Sequence, residues 1–187
     1  MTRTVFEKAE VLPLVAEVFR ELGYDGASMS SITARTRLSK GSLYHFFPGG
    51  KEEMAAEIVA HVDAWFAREV FEPLERNDPR AAIGGMWESV DAYFRSGRRV
   101  CLIGAFALDE TRDRFAGPIR HYFRRWIDAL AGAMVRAGVK PAAARRLAES
   151  SVAGVQGALI LARALNDKAV FARALGRLQA DTDGALG

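Results

Sequence analysis

Apolar residues recur every three or four positions along most of this chain, which is the spacing of amphipathic α-helices. Runs of Val, Ile and Thr, which favour strands, are sparse. The pattern predicts an all-α fold in which Gly and Pro residues separate the helices. The predicted helices cover residues 6–22, 30–36, 40–47, 51–69, 79–96, 119–137, 141–165 and 168–178, with a short apolar segment at 100–110 and a frayed tail from residue 180.

Two of these helices, 30–36 and 40–47, are short and are joined by the tight turn Arg37-Leu38-Ser39. In the second, Leu43 and either Phe46 or Phe47 point inward, and a helix of two turns needs such packing to be stable in water. The stretch 26–50 contains no Asp or Glu. A helix-turn-helix with this charge asymmetry suits a helix placed in the major groove of DNA. The outward positions are small, polar, aromatic or basic: Lys40, Gly41, Ser42, Tyr44 and His45.

The same stretch resembles the TetR family of bacterial transcriptional regulators. The residues that carry the resemblance are Phe19, Gly23, Tyr24, the run 28–32, the run 38–44, Phe46, Phe47 and Lys51. The segment 44–53, and Cys101-Leu102-Ile103-Gly104 followed by Ala107, are similar to the subgroup of lincomycin-resistance and flavonoid-responsive repressors. The resemblance is strong over the first third of the chain and weak beyond it.

The resemblance implies an N-terminal three-helix DNA-binding domain with a helix-turn-helix, at residues 1–50. It implies a C-terminal helical bundle for ligand binding and dimerisation, at residues 51–187. We therefore expect a homodimeric repressor that binds a palindromic operator in double-stranded DNA. A small hydrophobic or aromatic effector is expected to release it. The last two helices are expected either to pair with their symmetry mates or to cap the core of their own chain.

The DNA-binding residues predicted from the motif, the charge and the resemblance lie between Ser28 and Lys51. Lys40 and Tyr44 are expected to reach backbone phosphates or base edges, and Gly41 to let the backbone approach the DNA closely. Ser28 or Ser30 caps the first short helix, alone or together with a phosphate contact. The full predicted set is Ser28, Ser30, Arg37, Ser39, Lys40, Gly41, Ser42, Tyr44, His45 and Lys51.

The middle of the chain is rich in aromatic residues, which pack an ordinary core or line a cavity for a flat apolar molecule. The resemblance to ligand-responsive repressors favours the cavity for the group as a whole. The residues predicted to bind the effector are Met86, Trp87, Tyr93, Phe94, Phe106, Phe123, Trp126 and Gln156.

Composition narrows the remaining function classes. The net charge of +3 over 187 residues is too small for a general polyanion binder, and a single cysteine allows no internal disulfide. The first residues lack the apolar core of a signal peptide, and a cytoplasmic protein is expected. Without a nucleophile motif, a phosphate-binding glycine loop or a metal-ligand cluster, we expect no enzyme activity, metal or cofactor. The competing interpretation is a helical small-molecule-binding or protein-interaction module without sequence-specific DNA binding.

Overall fold

The computed structural model describes residues 7–108 and 113–187, and these are almost entirely helical. Within those ranges no strand is present, so the predicted all-α fold is confirmed. None of the helices there combines the length and apolar character of a membrane span. The helices are α1 Lys8–Gly26, α2 Met29–Thr36, α3 Lys40–Phe46, α4 Gly50–Phe66, a π-helical turn Ala67–Phe71, α5 Glu72–Arg76, α6 Pro79–Phe94, α7 Leu102–Ala107, α8 Ala116–Arg136, α9 Pro141–Ala164 and α10 Lys168–Leu186.

The chain forms two compact units. The first contains the described residues up to Val62 together with those between Leu102 and Ile119, and the second contains the rest. Helix α4 begins in the first unit and ends in the second. The predicted functional boundary at residues 50 and 51 stays a prediction, since compactness does not define it.

In the first unit, α1 ends its regular turns where the sequence predicts. Gly23 has φ 70° and ψ 179°, a conformation that only glycine adopts without strain. The following turn places Tyr24 against Phe19 of α1, with the ring centroids 6.0 Å apart. Phe106 of α7 contacts both rings, at 6.1 Å from each. Helix α7 therefore belongs to the core that supports the N-terminal helices.

A continuous helical path runs from α4 through the π-helical turn into α5, where the sequence predicts a helix ending at residue 69. Pro73 lacks an N–H and its ring crowds the preceding turn of an α-helix. The chain accommodates it by widening the turn just before it, so that the N–H of Glu72 donates to the carbonyl of Ala67. The helix then continues to Arg76 and ends where Asp78 caps α6.

The C-terminal helix corrects a prediction. The tail from residue 180 is predicted to fray, but α10 continues to Leu186. Thr182 is fully buried, and its hydroxyl accepts a hydrogen bond from the indole N–H of Trp87 on α6 at 3.1 Å. Arg80 also donates to the carbonyls of Leu186 and Gly187. The tail is ordered because α6 anchors it, a long-range contact that the local pattern does not reveal.

Candidate functional site

Serine side chains start both helices of the helix-turn-helix. Ser28 caps α2 by accepting the N–H of Ser31 at 3.1 Å, and Ser39 caps α3 by accepting the N–H of Ser42 at 3.0 Å. Between the helices, Arg37 adopts a left-handed conformation with φ 59° and ψ 18° and closes α2. The turn predicted at residues 37–39 is therefore fixed by local hydrogen bonds and one left-handed residue. Ser30 is exposed, and its hydroxyl lies 2.8 Å from that of Ser28.

Helix α3 is seven residues long, and Leu43 is its one buried residue. Leu43 and Phe47, just after the helix, are wholly inaccessible to solvent, whereas Phe46 is only half-buried. Lys40, Gly41, Tyr44 and His45 are exposed and Ser42 is half-buried, so the structure brings the predicted outward residues together on one surface.

Among the residues that the structure describes, nothing requires glycine at position 41. A Cβ atom added there would meet only the hydroxyl of Ser39, at 3.8 Å, and Gly41 does not have a positive φ. The absence of a side chain therefore leaves the α3 backbone accessible from outside, next to Lys40 and Tyr44.

The start of α4 borders this surface. Gly50 has φ 67°, and a Cβ there would lie 3.4 Å from the ring of Tyr44, so the tyrosine packs over the entry to α4. The Nζ of Lys51 lies 4.2 Å from the centroid of the Tyr24 ring. Glu53 accepts the N–H of Gly49 at 2.5 Å. Its carboxylate is thus engaged at the helix terminus, where a negative charge is favourable.

The positive charges of this segment differ in their partners. Arg35 pairs with Glu21 of α1, which holds it away from the turn. The Nζ of Lys40 lies 5.9 Å from the Tyr44 ring centroid. Arg37 is exposed at the turn. The helix-turn-helix therefore presents Lys40 and Arg37 on a surface without carboxylates of its own.

In the second unit, aromatic side chains form one cluster around Phe66, at the end of α4. Its ring lies 4.8 Å from Tyr93, 6.1 Å from Phe94 and 5.2 Å from Trp126, measured between centroids. Tyr122 joins the same cluster at 5.0 Å. Three of the predicted effector residues are thus brought together. Phe66 and Tyr122 are missing from the predicted set, although Phe66 follows the buried Val62 by one helical turn and Tyr122 precedes Trp126 by one turn.

Other predicted effector residues lie outside this cluster or already have a partner. Phe106 belongs to the first unit, where it packs against Phe19, Tyr24 and Phe115. The indole N–H of Trp87 is hydrogen-bonded to Thr182, and Met86 is buried. Phe123 is half-buried, and its ring contacts that of Tyr122. Gln156 is half-buried on α9. The cavities described in the second unit are lined by residues outside the predicted set.

Besides one carboxylate oxygen of Asp63, two nitrogen donors in this unit are buried without a hydrogen-bond partner among the described residues. They are the indole N–H of Trp126, a residue with 1% of its surface exposed, and the side-chain amide nitrogen of Gln156. A buried donor without an acceptor is costly and points to a strained or functional position.

One surface cavity of about 420 Å³ lies along α8, where Arg125 forms an ion pair and Arg136 a hydrogen bond with α5. Arg125 donates two hydrogen bonds to Glu75, at 2.9 and 3.1 Å, and lies over the ring of Phe71. The hydrogen bond from Arg125 lowers the pKa of the Glu75 carboxyl from its ordinary value. Arg136 donates to the carbonyl of Leu74. These arginines therefore serve mainly to attach α8 to α5.

The last two helices each have a buried face and an exposed face. The stripe of α9 that contains Val152, Val155 and Leu159 is buried within the unit, and a Cβ on Gly154 would lie 2.8 Å from Leu178 of α10. The residues on the opposite faces are apolar or small, and they are exposed or half-buried. They comprise Ala153, Gly157, Ile160, Leu161, Ala164 and Leu165 on α9, and Ala169, Ala172, Gly176, Ala180 and Gly184 on α10.

Comparisons with known proteins match both parts of the chain. Residues 15–58 match the family described as bacterial regulatory proteins, tetR family. Residues 79–176, more than half of the chain, match the family described as transcriptional regulator LmrA/YxaF-like, C-terminal domain. The HTH-type transcriptional regulator YxaF of Bacillus subtilis is 25% identical over 173 residues, which cover 90% of this chain and 91% of that protein. The HTH-type transcriptional regulator Rv0196 of Mycobacterium tuberculosis is 27% identical over 164 residues, 81% of each chain.

Solved structures with a similar fold are also regulators of this type. A TetR transcriptional regulator from Legionella pneumophila has a TM-score of 0.77 at 20% identity, over 95% of this chain and 98% of that one. The TetR family regulator CifR, in a structure with 26-bp double-strand operator DNA, has a TM-score of 0.65 at 22% identity, over 100% and 98% of the chains. The family resemblance inferred from the sequence is confirmed. This chain belongs to the TetR family of transcriptional regulators, with a DNA-binding helix-turn-helix at α2 and α3 and a C-terminal domain of the LmrA/YxaF-like type.

Proposed function

We propose that the protein is a homodimeric repressor that binds a palindromic operator with α3 of each chain and is released by a small apolar effector. The observation that carries the DNA-binding part is the outer surface of α3. It combines the exposed cation of Lys40, the hydroxyl group of Tyr44 and Gly41, a glycine that no packing contact among the described residues requires. These are the features that a helix needs to approach the phosphates and base edges of a major groove.

In this proposal each residue of the surface has a stated role. Lys40 and Tyr44 contact backbone phosphates or base edges, and Gly41 lets the helix axis approach the groove. Ser42 and His45 contact bases or phosphates. The remaining predicted residues border this surface and contact phosphates: Ser28, Ser30, Arg37, Ser39 and Lys51. Lys51 would leave the ring of Tyr24 to do so, at a modest cost for a partly exposed cation–π contact.

The exposed faces of α9 and α10 support the dimer. Ile160, Leu161 and Leu165 have 56%, 52% and 64% of their surface exposed, a contiguous apolar area on one helix face. A Cβ added at Gly157 or Gly176 would meet no atom within 4 Å, so no contact within residues 7–108 and 113–187 accounts for these small residues. Two such faces packing around a twofold axis would give a four-helix bundle with close backbone approach.

The cluster around Phe66 supports the effector site. The rings of this cluster are in contact, so they must separate before an effector can bind among them. The effector would therefore bind only to the form of the protein in which the rings are apart. The unpartnered indole N–H of Trp126 offers the hydrogen bond that would orient a flat molecule with an acceptor. The effector residues we retain are Trp126, Tyr93 and Phe94, with Phe66 added.

Helix α4 provides the connection between the two functions. Lys51 lies in its first turn, and Phe66 is its last residue. Movement of Phe66 on effector binding would therefore be transmitted along a single helix to the border of the α3 surface. By linkage, DNA binding would weaken effector binding by the same factor.

The test is selection of bound sequences from a pool of randomised duplexes with the full-length chain. The enriched sequence should be a palindrome with half-sites about 10 bp apart, one helical turn. Lys40→Ala and Tyr44→Ala should each weaken binding of that duplex in a gel-shift assay, whereas Lys140→Ala, which removes an exposed lysine of the second unit, should not. Enrichment of no sequence, or undiminished binding by both α3 variants, would overturn the proposal.

A further inference from the structure

The loop after α6 and the turn between α9 and α10 together form a basic cleft in the second unit. A cavity of about 520 Å³ is lined by Arg98, Arg163, Asn166 and Lys168. A second cavity of about 480 Å³ adjoins it and is lined by Arg95, again with Arg98 and Lys168, and by Ala169 and Ala172 of the α10 face proposed for the dimer. We call Arg95, Arg98, Arg163 and Lys168 with these two cavities the basic cleft.

The cations of the basic cleft are not neutralised. Within the described residues, none of the four side chains makes an ion pair or a side-chain hydrogen bond, and all four are exposed. One acid, Asp167, lines the cleft, and both of its oxygens are engaged. It caps α10 by accepting the N–H of Ala169 at 2.9 Å, and it accepts a hydrogen bond from Arg173 at 3.5 Å. Like charges that converge without a counter-charge favour an anionic ligand.

The loop that presents Arg95 and Arg98 is strained but firmly held. Arg95 and Ser96 both have φ 52°, followed by Gly97 with φ 85°, which makes three successive left-handed residues. The N–H of Arg99 donates to the carbonyl of Phe94 at 3.0 Å, and the Ser96 hydroxyl donates to Asp91 at 3.1 Å. Backbone strain of this kind persists only where the surroundings enforce it, and it is concentrated at functional positions.

The opposite wall of the basic cleft holds the loop in register. A Cβ on Gly97 would lie 2.5 Å from the Cβ of Phe171, so the loop backbone is pressed directly onto α10. Phe171 is fully buried and also contacts Phe94. Arg98 from the loop and Lys168 from α10 are therefore presented by two elements that are packed together. A preformed site of this kind binds a ligand without a large ordering cost.

We infer that the basic cleft binds a phosphate group. Arginine guanidinium groups give paired hydrogen bonds to phosphate oxygens, and lysine adds a compact positive charge. The side-chain amide of Asn166 supplies a neutral donor in the same wall. Two sources carry this chemistry, namely a free phosphorylated small molecule and the backbone of operator DNA. The inference does not depend on the effector site at Phe66.

The test uses the full-length chain and a double variant, Arg98→Gln with Lys168→Gln. The matched control is Arg120→Gln with Lys140→Gln, which removes the same charge from two exposed positions of α8 and the α9 cap outside the basic cleft. The first measurement is calorimetric titration with inorganic pyrophosphate at fixed ionic strength. The wild-type chain and the control should bind it, and the cleft variant should bind at least about tenfold more weakly, since it no longer forms hydrogen bonds between charged groups.

The second measurement identifies DNA as the source. If the basic cleft binds the operator backbone, the slope of log K against log salt should become less negative in the cleft variant and stay unchanged in the control. The expected change is about 0.9 for each DNA phosphate that the variant no longer neutralises. Weaker pyrophosphate binding confined to the cleft variant, with an unchanged salt slope, supports a free ligand, and a slope change confined to that variant supports DNA. Equal behaviour of the cleft variant and the control in both measurements would overturn the inference. The pyrophosphate measurement stands even if no operator is found.

Discussion

Gly41→Ala separates the DNA-reading role of α3 from its folding. Gly41 is the second residue of α3, has a negative φ, and has open space where a Cβ would lie. Replacing glycine by alanine at such a position is expected to raise the free energy of unfolding by about 0.4–1 kcal/mol, because the unfolded chain loses conformational freedom. If α3 lies in the major groove at close range, the added methyl group meets DNA. Overpacking of a well-fitted interface costs about 1–3 kcal/mol, which corresponds to roughly 5- to 150-fold weaker binding.

Gly84→Ala is the matched control for this prediction. Gly84 lies within α6 in the second unit, lacks a positive φ, and has no atom within 4 Å of the position of a Cβ. Both variants should unfold at higher urea concentration than the wild-type chain, but only Gly41→Ala should bind operator DNA more weakly in an anisotropy titration. Unchanged operator affinity in Gly41→Ala would refute the placement of this face of α3 against DNA.

Three further predictions concern the second unit. Thr182→Val should lower the free energy of unfolding by about 1–3 kcal/mol, because it leaves the buried indole N–H of Trp87 without a hydrogen-bond acceptor. In a Trp87→Phe background this cost should largely vanish, since that donor is no longer present. Equal costs in both backgrounds in urea titrations would contradict the anchoring of α10. Leu161→Glu should raise the dimer dissociation constant by at least about 100-fold, because burial of a leucine contributes roughly 1.5–3 kcal/mol and each dimer contains two copies. An unaltered dimer in sedimentation would exclude this face of α9 as the dimer interface. Trp126→Phe should preserve operator binding and should raise the effector concentration needed for release from DNA by about tenfold, because the variant loses one hydrogen bond in a dry site. An unaltered effector titration would show that Trp126 does not contact the effector.

The helix-turn-helix is predictable because its signals are local. Ser28 and Ser39 begin helices by hydrogen bonds to residues three positions later, and the apolar spacing around Leu43 identifies the buried side. The observed bounds of α2 and α3 differ from the prediction by one residue at one end of each helix. Glycine at position 23 likewise has the positive φ that the end of a helix favours.

Features that depend on distant contacts are beyond prediction from the local pattern. The aromatic pattern is the same for a residue of either unit, so it groups Phe106 with the other aromatic residues although Phe106 packs against Phe19 and Tyr24. The end of α10 is polar and rich in small residues, and its contacts with Trp87 and Arg80 of α6 explain its order. Pro73 predicts a helix end, and the widened turn before it is a response of the backbone that sequence spacing does not encode.

The two stripes of α9 show why periodicity alone does not identify an interface. Val152, Val155 and Leu159 are the more apolar positions, and they pack within the chain. The face available to a second copy is the weaker one in the sequence, marked by Gly157, Ile160 and Leu161. Helical periodicity identifies both stripes, but only burial separates the one that packs internally from the one left for a partner.

The most direct test of the account is an anisotropy titration of the selected palindrome and of a single half-site with the same full-length chain over a range of salt concentrations. Two copies of α3 held one DNA turn apart should saturate the palindrome with two chains and bind the half-site much more weakly. Affinity for the palindrome should also fall linearly in log K against log salt, as expected for phosphate contacts. Binding of one chain to the isolated half-site with the same affinity as binding to the palindrome would contradict a dimeric reader of operator DNA.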